Sequence, residues 1–375
     1  MDLRDSPAEG QFRSRLRAWL AASKPGELPA DHGLAHAALV GWHRKLYEAG
    51  WIGLSWPQEY GGQGLDFMTE VIFQQEIGRA GAPNPPAYSY IARALLIFGT
   101  EEQKRRFLPG LLSGREQWCQ GFSEPEAGSD LASLRTRAVD EGDHFAISGQ
   151  KIWTSRAMFA DFCFLLARTA VVDPPHAGIT VFLVDMRSPG ITVRPIREIT
   201  GNQHHFAEVF FDSVRVPAPD VLGAVGEGWK IAQTTMTYER GPVDVGIHAE
   251  LTARMGDLVG LARARGLDRD PALRRSLARA AVALEVLRLR AAAAITARCD
   301  GVLPGPEGSI EKVLMATTEQ QILAIAAEIL GPAMSVAEGA WYNRYLQARS
   351  ATIYGGTIQI QKNILARRVL KLDKA

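Results

Sequence analysis

Ser123-Glu124-Pro125-Glu126-Ala127-Gly128-Ser129-Asp130, followed further on by Lys151-Ile152-Trp153-Thr154-Ser155, is the stretch on which the reading of this chain turns. The first string is a turn rich in Gly and Ser. Gly128 lets backbone approach a ligand closely, and Ser123 and Ser129 offer hydroxyl and backbone N–H donors. The second string is a strand-like run carrying an isolated Trp. Together they make a cradle suited to a flat, phosphate-bearing ligand. A third string near the C-terminus, Tyr354-Gly355-Gly356-Thr357-Ile358-Gln359-Ile360-Gln361, makes sense only alongside them.

Around the first two strings the period is that of strands. Phe162-Cys163-Phe164-Leu165-Leu166 and Ile179-Thr180-Val181-Phe182-Leu183-Val184 are short runs of β-formers, and Ile191–Arg194 and Val209–Phe211 continue the pattern. Asp140-Glu141-Gly142-Asp143 reads as a hairpin-type turn. On either side the chain is helical. Phe12, Leu16, Trp19 and Leu20 recur at helical spacing, as do Trp42 and Leu46, with Trp51 after them. The pattern predicts helices over 68–77 and 92–98. A further helix is predicted with Thr100 as N-cap and Glu101-Glu102 in its first turn, ending at Leu108-Pro109. After about residue 225, Ile322, Ile325 and Ile329 form a stripe stopped by Gly331-Pro332. The expected fold is therefore α+β and multidomain. Residues 1–118 form a helical N-terminal domain, 119–222 a central β-barrel or sandwich domain, and 223–375 a helical domain resembling a four-helix bundle. Helices before and after a β unit are not a βαβ pattern, and no strand-linked Gly-x-Gly-x-x-Gly is present, which argues against a Rossmann fold.

Bulk properties agree. A chain of 375 residues with 46% hydrophobic and 22% charged residues is long enough for two or three packed units. A net charge of +1 excludes nucleic acid or a membrane surface as a partner drawn by bulk charge. The three cysteines, Cys119, Cys163 and Cys299, match no metal-ligand spacing, and the eight histidines form no metal site. Cys119 and Cys163, in apolar strand-like stretches, are expected to be buried structural thiols, and the odd, low count fits a reducing, cytoplasmic setting. The N-terminus has no apolar signal region, and no apolar run approaches the roughly 18 residues of a membrane helix.

The order and spacing of the three strings resemble the acyl-CoA dehydrogenase family of flavoproteins, over nearly the whole chain. The resemblance implies FAD as cofactor, with Gln120, Phe122, Ser123, Gly128 and Ser129 in the stretch that holds the flavin's pyrimidine edge and phosphates. It implies that Trp153 covers one face of the ring, with Thr154 beside it, and that Ser155 donates a hydrogen bond to flavin N5. Thr357 and Gln359 match positions that approach the dinucleotide. Glu328-Ile329-Leu330-Gly331-Pro332 resembles a Gln-x-x-Gly-Gly stretch that binds the adenine end across a subunit interface, with Glu328 replacing Gln and Pro332 replacing the second Gly. The usual Arg-x-x-Phe-Gly partner motif is absent, and Arg274 and Arg275 are its possible substitutes.

One departure concerns the chemistry. In many family members the base that takes the α-proton is a Glu at the position of Gly355, which has no side chain. A second arrangement in the family places the Glu before an Arg on the first long helix of the C-terminal domain. Here Glu239-Arg240 matches it, so Glu239 is the expected base and Arg240 an expected substrate contact. Gly355 retains the backbone N–H that binds the thioester carbonyl, and Ser129 also borders the substrate. The implied reaction is α,β-dehydrogenation of an acyl-CoA to the trans-2-enoyl-CoA, with electrons passed to an electron-transfer flavoprotein. The implied assembly is a homo-oligomer (dimer or tetramer), or a heterotetramer with a homologous subunit. Three other readings stay open: a non-catalytic partner subunit, an enzyme acting on carrier-bound acyl groups, and an oxidase.

Overall fold

The structure, a computed structural model, describes residues 4–29, 31–86, 89–238, 242–303, 305–336 and 339–372. Among these residues, five helices open the chain: α1 (Pro7–Ser23), α2 (His32–Glu48), α3 (Phe67–Ala80), α4 (Ser89–Phe98) and α5 (Glu101–Ser113). Eight strands follow: β1 (Trp118–Gly121), β2 (Arg137–Asp140), β3 (His144–Ser155), β4 (Phe162–Arg168), β5 (Ile179–Asp185), β6 (Ile191–Ile196), β7 (Phe206–Pro217) and β8 (Val221–Leu222). The remainder is helical: α6 (Gly228–Tyr238), α7 (Pro242–Ala264), α8 (Pro271–Cys299), α9 (Gly308–Leu330), α10 (Ala333–Val336), α11 (Ala340–Gln347) and α12 (Ile358–Ile364).

The chain divides into two compact units that cut across the expected N-terminal domain. One comprises Gly26–Leu65 and Pro85–Glu239, and holds the whole sheet with α2, α4, α5 and α6. The other comprises Met1–Pro25, Asp66–Asn84 and Arg240–Ala375, and is helical.

In the sheet unit the strand order is β6-β7-β3-β2-β4-β5-β8, with β1 parallel to β4. Every residue of β4 from Phe162 to Ala167 and of β5 from Ile179 to Val184 is buried, which is why both read as continuous apolar runs. β6 ends the path at one edge, where Pro195 is tolerated. Two strands separate β3 from β5, yet the rings of Phe145 and Phe182 lie 5.1 Å apart, so the sheet folds over its own core. That core includes Ile147, Leu165, Val184, Val209 and Val214. Cys119 and Cys163 are register partners inside it, and their mutual hydrogen bond, then burial, pushes the Cys119 thiol up. Thr100 caps α5 in a reciprocal capping box with Gln103. The helix does not stop at Pro109 as expected but runs on to Ser113 and ends at Gly114, φ +68°. Burial of Leu111 and Leu112 outweighs the lost backbone donor at Pro109.

In the helical unit, α7, α8 and α9 share one core. Leu251 and Leu258 meet Leu273, Leu284 and Leu287, and these meet Ile322, Ile325 and Ile329. The fourth long neighbour comes from the N-terminal segment: α3 packs on α7, with Val71 beside Val245. Gly78 and Gly246 permit this approach, since a Cβ on Gly78 would lie 2.2 Å from the Gly246 carbonyl oxygen. By length and hydropathy α9 could cross a membrane, but half of its apolar window is buried and it carries Glu311, Lys312 and Glu319 in the interior.

Candidate cofactor and substrate site

Within the sheet unit, the Ser123–Asp130 turn and the end of β3 are fastened together by a buried ion pair. Lys151 is fully buried, and its Nζ donates to Glu124 Oε1 at 2.8 Å and to the Phe122 carbonyl at 3.0 Å. The Glu124 carboxylate also accepts from the backbone N–H of Arg135 (2.6 Å) and Thr136 (2.8 Å). A further bond runs from Ile152 N–H to the Ser123 carbonyl, 2.9 Å. Burial works against the charge on Glu124, but Lys151 and the N–H donors outweigh it and leave its pKa lowered. Burial dominates for Lys151 and pulls it down to about 8. These two residues were given no role from sequence.

β3 ends in a bulge against β7: the register shifts between Lys151 and Thr154. Trp153 sits in it with φ +59°, a conformation rare for an aromatic residue. A bulge re-aims a side chain, and the indole is 55% exposed, resting edge-on against Phe206 at 5.8 Å. Ser155 is exposed next to it. Gly128 and Ser129 are exposed, Ser123 and Gln120 half-buried, and a Cβ added at Gly128 would meet nothing within 4 Å. Phe122 and Thr154 differ from the expectation of cofactor-facing side chains. Both are buried, Phe122 beside Phe164, so only their backbone is available to a ligand. An out-turned indole, exposed hydroxyls and an open glycine turn fit a flat ring with a polar edge.

His204 and His205 lie in the loop before β7. His205 stacks on Phe206 and His204 on Phe159. Burial first, then the charge of Arg156, pulls His205 down to about 4.

Within the helical unit, the Tyr354–Gly356 turn depends on two glycines, Gly355 at φ +62° and Gly356 at φ +86°. Gln361, on α12 and buried, donates its amide to both of their carbonyls, 2.9 and 3.3 Å. Thr357 is the N-cap of α12 and accepts from Ile360 N–H, while Gln359 is exposed. Under the turn lies Lys312 of α9. It is only 5% exposed, and its Nζ is 3.9 Å from the Tyr354 ring centroid. A Cβ at Gly355 would stand 3.8 Å from that ammonium. Glu328 and Gly331 are exposed at the C-terminal end of α9, where Arg265 donates to the Ile329 and Leu330 carbonyls. Arg274 and Arg275 are exposed in the first turn of α8. Glu239 and Arg240 fall between the bounds of α6 and α7, outside the described residues. Among the described residues, no cluster of His, Cys, Asp and Glu could hold a metal ion.

Comparison with known proteins covers the chain from end to end. Residues 6–115, 119–214 and 226–370 match the family models for the N-terminal, middle and C-terminal domains of acyl-CoA dehydrogenase. Acyl-CoA dehydrogenase IpdE1 of Mycobacterium tuberculosis is 40% identical, the match covering 97% of this chain and 98% of the relative. Among solved structures, the Tcur3481-Tcur3483 steroid ACAD superposes with a TM-score of 0.87 at 31% identity, over 100% of both chains. The ChsE4-ChsE5 complex from Mycobacterium tuberculosis gives 0.85 at 28% identity, again over 100% of both.

Proposed function

The chain belongs to the acyl-CoA dehydrogenase family and is an FAD-dependent oxidoreductase, and from that premise we propose how its residues divide the work. Bound FAD supplies the two-electron acceptor. Ser123, Gly128 and Ser129, with the backbone at Gln120, Phe122 and Thr154, hold the ring edge and phosphates. Trp153 covers one ring face, and Ser155 donates to flavin N5. Thr357, Gln359, Glu328 and Gly331 contact the dinucleotide. Glu239 takes the α-proton of the acyl-CoA. The Gly355 backbone N–H holds the thioester oxygen, which makes that proton acidic enough to leave. Arg240 and Ser129 border the substrate. Electrons pass on to an electron-transfer flavoprotein, and the enzyme works in the cytoplasm. The domains in this scheme are 1–118, 119–222 and 223–375.

The observation that carries this reading is the exposed, strained Trp153 beside Ser155, anchored to the Ser123–Asp130 turn through Lys151 and Glu124. A fold gains nothing from a large apolar ring turned to solvent in an unfavourable conformation unless a ligand covers it. The test is the visible spectrum of the purified protein with a panel of acyl-CoAs. A flavin spectrum bleached by substrate is the expected result. A colourless protein that takes up no FAD, even with candidate partner chains supplied, contradicts the reading.

The proposed assembly is an oligomer with a homologous subunit. The replaced residues of the adenine-binding stretch, Glu328 and Pro332, favour a partner that completes the dinucleotide pocket. Two similar solved structures are named as pairs, Tcur3481-Tcur3483 and ChsE4-ChsE5. Light-scattering mass of the chain alone and with a homologous subunit decides between self-association and a mixed tetramer.

A further inference from the structure

Arg156 is the residue beside this site that the reading above leaves without a task. It directly follows Ser155 and adopts φ +56°, in the left-handed region where Gly or Asn would sit at lower cost. Its backbone N–H donates to the His205 carbonyl at 2.7 Å, which fixes that conformation. The residue is half-buried, and among the described residues its guanidinium makes no ion pair or side-chain hydrogen bond. A cation withdrawn from water ordinarily finds a carboxylate.

The surroundings keep this charge uncancelled. His36 stacks flat on Phe159, centroids 4.1 Å apart and planes 7° apart. His205 stacks on Phe206 at 4.1 Å, and Phe206 meets the edge of Trp153. Both imidazoles are pulled down to about 4, first by burial and then by Arg156 itself, so they are neutral at physiological pH. The carboxylate in this group, Glu198, is aimed at His205 Nδ1, 3.1 Å away, and burial pushes its pKa up. Arg156 is thus a fixed positive charge among neutral rings, in a setting of reduced dielectric where its field reaches further than in water.

We propose that Arg156 is an electrostatic positioning residue for the flavin, a deliberately unpaired cation next to Ser155 that favours the reduced, electron-rich ring over the oxidised one. This rests on the placement of Ser155 at flavin N5. Two-electron reduction by the acyl-CoA adds negative charge to the ring, and a nearby cation lowers the energy of that state and leaves the neutral oxidised state almost untouched. The strain at residue 156 is the cost of delivering a long cationic side chain from a turn that would otherwise take Gly or Asn.

The test is the midpoint potential of bound FAD in the holoenzyme, read spectroscopically against a reference dye, together with FAD stoichiometry and the melting temperature. Arg156→Gln is expected to leave FAD stoichiometric but lower the reduced-to-oxidised ratio at fixed dye potential about tenfold, which is about 30 mV for a two-electron couple. Arg156→Lys, which keeps the charge, retains most of the wild-type potential. Arg156→Asn lowers the potential as Gln does and melts no lower than wild type, because it relieves the backbone. A yellow protein whose potential is unchanged by Arg156→Gln overturns this inference alone. So does one whose assembly weakens while its potential holds, which would assign the cation to a partner's acidic group. A chain that takes up no FAD overturns the functional reading and this inference together.

Discussion

The Ser123–Asp130 turn is held against β3 by a buried ion pair, two backbone N–H bonds to the same carboxylate and a strand-to-turn bond. The Tyr354–Gly356 turn is exposed and takes its shape from two left-handed glycines and one glutamine amide. The first geometry is over-determined. That suits a cradle for a resident cofactor, which must be held to a fraction of an ångström. The second exposes backbone at Gly355 and carries no carboxylate of its own. One turn is therefore read best through its side-chain anchors, and the other through its missing side chain.

The largest stability effect is expected where the first turn is anchored. Lys151→Met leaves Glu124 buried with a charge and no cation, and breaking a buried pair from one side costs about 3–5 kcal/mol. The melting temperature should fall sharply and FAD should be lost. Adding Glu124→Gln, which removes the unpaired buried charge and keeps an acceptor for one of the Arg135 and Thr136 N–H groups, should recover part of the loss. If Lys151→Met melts like wild type, the anchor is not what holds this region.

The second turn breaks differently. Gly355→Glu places a side chain at φ +62°, a strain of about 1–3 kcal/mol. It also brings the new carboxylate towards the Lys312 ammonium, which stands 3.8 Å from the Cβ position. An opposite charge so close stabilises the ionised carboxylate and makes it a weaker base. Gly355→Glu in a Glu239→Gln background is therefore expected to melt lower and to regain no turnover, and Lys312→Met added to that pair is expected to raise turnover above it. Recovery of activity by Gly355→Glu with Lys312 intact would show that the ammonium does not guard this position.

The smallest effect is one of pH. Glu124 has a folded-state pKa below its unfolded value, so its stabilisation is complete above the ordinary carboxylate range. It is lost as pH falls through the lowered folded value. The acid limb of a melting-temperature profile should be shallower for Glu124→Gln than for wild type, with both converging at low pH. The Tyr354–Gly356 turn has no comparable carboxylate, so Gln361→Ala should shift the profile uniformly instead. Identical acid limbs for Glu124→Gln and wild type would remove the linkage.

Much of this was legible in local sequence. The Thr100 cap, the Ile322–Ile325–Ile329 stripe, the hairpin at residues 140–143 and the two flanking strings depend on nearby residues, and the fold follows them. What was not legible depended on distant contacts. Pro109 stays within α5 because Leu111 and Leu112 are buried in tertiary packing. α3 joins the helical unit because Gly78 meets Gly246, far along the chain. The bulge at Trp153, the Glu124–Lys151 pair and the Lys312 ammonium under Gly355 were equally hidden, since each needs two segments brought together. A resemblance marks which strings matter, but not which side chains turn inward, as Phe122 and Thr154 do.

We propose that Glu239, rather than a side chain at position 355, takes the α-proton. Anaerobic titration of Glu239→Gln holoenzyme with a productive acyl-CoA tests it most directly. FAD is expected to stay bound, and the substrate to perturb the flavin absorbance without bleaching it. Bleaching at a near-wild-type rate would rule Glu239 out as the base, because another carboxylate would then be taking the α-proton.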